Sequence, residues 1–151
     1  CEDKENIIFL EDKVYIWHNN KSSLTRSTDY FFEGMEGFAY NQTYAAKKAA
    51  ESGVSVDKLA RFSATTICTL YLYYLVLCSQ NREETQLNQY ISWSAAFYNE
   101  VYVKYLNYIT EDMMKEQYSA VFTNNAGMIT GVIPAITLFQ FAEVLNGIIN
   151  K

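Results

Sequence analysis

The side chains of this chain that could do chemistry at neutral pH are few and scattered. His18 is the single histidine, at the edge of an apolar segment, and any Ser-His-Asp or Cys-His centre would have to use it. No flanking motif accompanies it, so a surface histidine is the favoured reading. Glu33 and Glu36 share a helix face, a pattern that could serve acid–base work or a metal. They also fall near a helix N-terminus, where the dipole alone stabilises acids, and that simpler role is preferred. The three cysteines are Cys1, Cys68 and Cys78. The last two sit ten residues apart on one predicted helix, about 15 Å by helical rise. A disulfide tolerates only about 7 Å between Cα atoms, so both are read as buried free thiols. There is no CxxC, no glycine-rich phosphate loop and no metal-ligand spacing. No catalytic residue, metal ligand or cofactor is therefore assigned.

Aromatic residues are the strongest remaining signal: thirteen Tyr, nine Phe and two Trp. Tyr90, Trp93, Phe97, Tyr98, Tyr102, Tyr105 and Tyr108 crowd one predicted helix and cover more than one side of it. A core needs one side, so some of these rings are expected at the surface. Tyr and Trp favour interfaces because they bury much area and keep a polar tip. Tyr90, Trp93, Tyr98 and Tyr102 are the expected binding residues. The alternative is a tyrosine-rich core whose hydroxyls reach water.

The elements that must position these residues are helical. The chain of 151 residues fits one domain, with 50% hydrophobic and 19% charged residues, enough for a real core. One Pro and six Gly are too few for a β-sandwich. Residues 4–17 follow helical spacing through Ile7, Leu10, Val14 and Trp17, although "VYIW" also has strand propensity, so a helix or hairpin is expected. After a polar loop, Ser27-Thr28-Asp29 supply N-caps for a helix that Gly53 stops. Its apolar face is read as Phe31, Met35, Phe38, Ala45 and Ala49, with close helix packing expected at Gly34 and Gly37. Helices then follow over 57–80, about 85–108, about 111–122 and 130–150, with Pro134 in the first turn of the last. The ridge of the 85–108 helix is Leu87, Ile91, Ser94, Phe97/Tyr98, Val101 and Tyr105. Asp57–Arg61, Glu100–Lys104 and Glu111–Lys115 are favourable i,i+4 pairs that mark solvent-facing sides.

The run from Phe62 to Asn81 carries no charge over twenty residues, long enough to cross a bilayer. Tyr71, Tyr73 and Tyr74 fall at its middle, whereas membrane tyrosines gather at the interfaces. Thr66, Thr69, Tyr73 and Gln80 add a polar stripe. A core helix wrapped by neighbours is the better account. The expected architecture is a single-domain, all-α bundle of about five helices around residues 57–80.

Net charge is −5 and the twelve Lys and Arg are dispersed, so no nucleic-acid partner is expected. Cys1 followed by the polar "EDKEN" resembles the mature end of a bacterial lipoprotein, where that cysteine carries the lipids. On that reading residues 1–5 are a tether and 6–151 the helical domain. The chain is then secreted or held in the cell envelope, meeting a membrane only through the lipid. The alternative is that Cys1 is an internal residue of a longer chain. The expected function is a non-enzymatic protein-binding domain, an accessory, inhibitor or immunity-type protein, that binds another protein or itself. The second reading is a carrier enclosing a small hydrophobic ligand, with Tyr hydroxyls and Thr66/Thr69 as polar contacts.

Overall fold

The computed structural model describes residues 28–125, 127–128 and 137–149. Helix α1 spans Thr28–Glu51, α2 Val56–Ser79 and α3 Glu84–Phe97. The α3 rod continues through a π turn at Tyr98–Tyr102, α4 at Val103–Tyr105 and a 3-10 turn at Leu106–Tyr108. Helices α5 (Glu111–Asn124) and α6 (Leu138–Ile149) complete an all-α bundle. The expected Cys1 tether, the 4–17 segment, His18, the Ser27 cap and Pro134 lie outside the described residues, as does the side chain of Phe31.

Local signals set most of these boundaries. Gly53 adopts φ +76°, the left-handed conformation that lets a chain turn out of a helix, and the amides of Gly53 and Val54 donate to the carbonyls of Ala50 and Ala49. Asn81 takes the left-handed φ of 53° after α2, a conformation its short polar side chain tolerates. Thr110 caps α5 by accepting the Met113 amide at 3.1 Å. Helix α6 starts later than expected. Thr137 and Gln140 form a reciprocal capping box: the Gln140 amide donates to the Thr137 hydroxyl at 3.2 Å, and the Thr137 amide to the Gln140 carboxamide at 2.7 Å.

Helix α2 is the centre. It touches α1, α3, the π turn, α4, the 3-10 turn, α5 and α6. It is, among the described residues, the one helix long and apolar enough to cross a membrane. Here protein surrounds it: Leu59, Ala60, Ile67, Cys68, Leu70, Leu72, Leu75 and Leu77 are buried in different directions around its axis. Several of its hydroxyls bond back to the helix itself. Ser63 donates to the Leu59 carbonyl at 2.8 Å, and Thr69 to the Thr65 carbonyl at 2.9 Å.

Two face assignments change. The buried stripe of α1 is Phe32, Met35, Ala39, Thr43 and Ala46, rotated from the expected face. Gly34 and Gly37 do not mediate close packing. They face outward, with nothing within 4 Å of where a Cβ would stand. In α3 and the π turn two adjacent stripes are buried, Tyr90/Ser94/Phe97/Val101 and Ile91/Ala95/Tyr98/Tyr102. The cause is that α1, α2 and α6 all pack on this rod, so its core face is wider than a single ridge. Of the expected ion pairs, Asp57–Arg61 (3.4 Å) and Glu111–Lys115 (2.7 Å) form, and Glu100 pairs across the helices with Lys47.

The two outward glycines generate a direct expectation. Gly34→Ala and Gly37→Ala should each raise stability by about 0.5–1 kcal/mol, since alanine restricts the unfolded chain and meets no atom in the folded one. Gly53→Ala should lower it by about 1–2 kcal/mol because of its positive φ. Urea unfolding of the three variants checks both signs. A loss at Gly34 or Gly37 would mean that α1 presents that face to something.

Candidate functional site: a groove between α1 and α3

The four aromatic residues expected to bind a partner part company. Tyr90 is fully buried, and its hydroxyl donates to the Leu70 carbonyl of α2 at 2.5 Å. Tyr98 and Tyr102 stack on each other with centroids 5.2 Å apart, and both are buried. These three rings are core, out of a partner's reach while the chain is folded. Only Trp93 reaches a surface feature, a groove it shares with α1.

The groove follows from residue size along one seam. Helices α1 and α3 run parallel, because Phe32 meets Trp93 (centroids 5.3 Å) near one end and Lys47 meets Glu100 near the other. Between these contacts the seam is floored by Ala39, Thr43 and Ala96, whose small side chains leave about 270 Å³ open. Tyr40 and Tyr44, one helical turn apart on α1, form the outer wall and are 69% and 54% exposed. Trp93 stands opposite. Glu36 lies one turn before Tyr40, and the Lys47–Glu100 pair bridges the seam where a second hollow of about 160 Å³ begins. The pair is half-exposed on both sides, so it contributes at most about 1 kcal/mol.

This arrangement offers rings, methyl groups and isolated charges. Glu36 and Glu100 share the groove, but Glu100 is held at Lys47, eleven residues from Glu36. That is about 16 Å of helical rise, beyond the roughly 9.5 Å over which paired carboxylates cooperate in glycoside hydrolysis. Glu33 is exposed beside the groove's acidic end. Among the described residues, no group of three His, Cys, Asp or Glu side chains is placed to hold a metal. The thiols are poor nucleophiles. Burial pushes Cys68 up to about 12, and burial also raises half-buried Cys78, partly offset by a hydrogen bond from Tyr74.

Sequence reasoning missed Tyr40, Tyr44 and Lys47. Their signal was available: two tyrosines at i,i+4 immediately beside a stripe of Ala39, Thr43 and Ala46, where small core residues keep large neighbours outside. The sequon Asn41-Gln42-Thr43 lies in the same turn, and its threonine is buried with the hydroxyl bonded to the Ala39 carbonyl at 2.9 Å. Compared with known proteins, the chain matches no family model, no curated protein and no solved structure.

The buried acids fix a pH response. Burial raises Tyr74 and Tyr102 to about 12 and lifts Tyr90 further, alongside Cys68. An acid whose folded pKa is raised stabilises the fold fully below its unfolded value and loses that contribution as pH climbs towards the folded one. Stability should thus hold to about pH 9 and fall progressively between about pH 9 and 12. Urea midpoints across that range test it, and a flat profile to pH 11 would contradict the burial of these groups. In thiol labelling at pH 8, peptide mapping should find Cys68 unmodified and Cys78 slow until denaturant is added. Rapid native labelling of Cys68 would count against its place at the bundle's centre.

Proposed function

We propose that this chain is a protein-binding module whose α1/α3 groove receives a segment of another protein, and that the lipid-bearing cysteine expected at Cys1 holds it in the cell envelope. The observation that carries the binding reading is the outward pair Tyr40 and Tyr44 facing Trp93 over a floor of small residues. Exposed aromatic rings around a depression are the residue types that dominate binding energy in protein interfaces. The carrier reading is weaker, because the groove's about 270 Å³ is below the usual 300–1,000 Å³ of small-molecule sites and its walls stand in solvent. An accessory, inhibitory or immunity-type role would each use such a surface.

A photo-crosslinking residue at position 44 should capture a discrete partner from the protein's own source, and one at exposed position 139 should not. With that partner purified, Tyr40→Ala and Tyr44→Ala should each weaken binding by about 1–3 kcal/mol. Thermal stability should stay within about 0.5 kcal/mol of the parent, as expected for exposed positions. Equal affinity of both variants and the parent would remove the groove from the account. Intact mass of the protein from its source reads the Cys1 lipid directly.

A further inference from the structure

We infer that the groove takes an arginine side chain of the protein partner, its guanidinium held between Tyr40 and Trp93 with Glu36 as counter-charge. The inference deepens the protein-binding reading and rests on it. Three observations converge on a cation. First, the groove's charges do not cancel: Lys47 is taken up by Glu100 at one end, while among the described residues no cation stands against Glu36 at the other. The chain as a whole carries −5, which draws a basic partner. Second, the chain's own cations already use the rings along this seam. Lys48 lies 5.8 Å from the centroid of Tyr44, and Arg82 lies 5.6 Å from that of Phe32, the ring against which Trp93 packs. Both positions are within the range of cation–π attraction. The stretch between them, at Tyr40 and Trp93, has the same aromatic character and an acid one turn away, with its own floor of small side chains.

Third, the lining favours arginine over lysine. Rings from both helices, Tyr40 on α1 and Trp93 on α3, line the groove, and a flat group can stack on such a ring while presenting its N–H edge to a carboxylate. A guanidinium does both at once, whereas an ammonium is a compact, strongly hydrated point charge. Glu36 lies one turn from Tyr40 on the same helix, so the ring contact and the ion pair are reached by one side chain.

The test uses the full chain and an N-acetylated, C-amidated alanine-based pentapeptide with one central arginine. The comparison peptide carries citrulline there, which keeps the shape and removes the charge. The readout is the indole N–H signal of Trp93, assigned by Trp17→Phe. The arginine peptide should shift that signal saturably, and the citrulline and lysine peptides should bind roughly tenfold more weakly or less. Glu36→Gln, at an exposed site that should fold normally, should remove most of the preference for arginine over citrulline, as should raised salt. Equal binding of arginine and citrulline peptides, an unchanged preference in Glu36→Gln, or no shift at all would each overturn the inference. Those results leave capture through position 44 untouched, whereas failure of the protein-binding reading abolishes that capture without altering the peptide titration.

Discussion

Everything in this bundle depends on covering α2. A helix of 24 residues with its charges confined to the first turns cannot rest on one neighbour, because apolar surface faces outward all round it. Helices α1, α3, α5 and α6 each take a sector. Helices α5 and α6 do so with rings: Phe122 and Phe141 both approach Tyr71, at 5.9 and 5.7 Å, and Phe141 also meets Tyr74 at 5.2 Å. Helix α1 adds one ring pair, Phe38 against Tyr73 at 5.3 Å, and uses smaller side chains beyond it. Charged groups are left to the periphery, where Arg61 reaches both Asp57 and Glu116.

The groove is a consequence of how α1 meets α3 while both cover α2. Beyond Phe32 and Met35 the buried stripe of α1 shrinks to Ala39, Thr43 and Ala46. Small residues let the backbones approach, yet they cannot fill the angle between two cylinders at the surface. Tyr40 and Tyr44 fall one position past that stripe, so the helical phase alone turns them to solvent. Across the seam the demand is opposite. The α3 rod is pressed from three sides, and Tyr90, Tyr98 and Tyr102 are consumed in the core, with the Tyr90 hydroxyl satisfied by a carbonyl of α2, while Tyr108 at the rod's end is exposed.

That contrast explains what the sequence made legible. The central helix, its bounds to within one residue, the Gly53 stop and the all-α class are local or periodic signals, and the structure carries them. The Thr137–Gln140 box is also a local signal, but an apolar run in the sequence directly before it extends the helical pattern backwards. Side assignment was harder. Periodicity shows that a helix has a face, but the width of that face depends on how many neighbours it acquires, which is a tertiary fact. Counting rings on α3 therefore pointed to a surface that three packed helices had already taken. Two tyrosines on α1 were passed over because their number was unremarkable, although their phase was the informative quantity.

Trp93 joins the two regimes. Its ring packs against Phe32, a core residue of α1, while the same side chain forms a wall of the groove. At the other end of the groove the ion pair is too exposed to fix the seam, whereas here the Phe32–Trp93 ring contact joins α1 and α3 directly. A ligand that presses on Trp93 from outside thus acts on the same side chain that holds the helices together from inside. Occupying the groove removes apolar ring surface from water, at about 25 cal/mol per Å². Any molecule that binds only the folded chain also stabilises it, by an amount that grows as the logarithm of one plus its free concentration over its Kd. The groove and the core are consequently one thermodynamic unit at this position. Tyr40 and Tyr44, which lack an inner partner of that kind, are free to serve the surface alone.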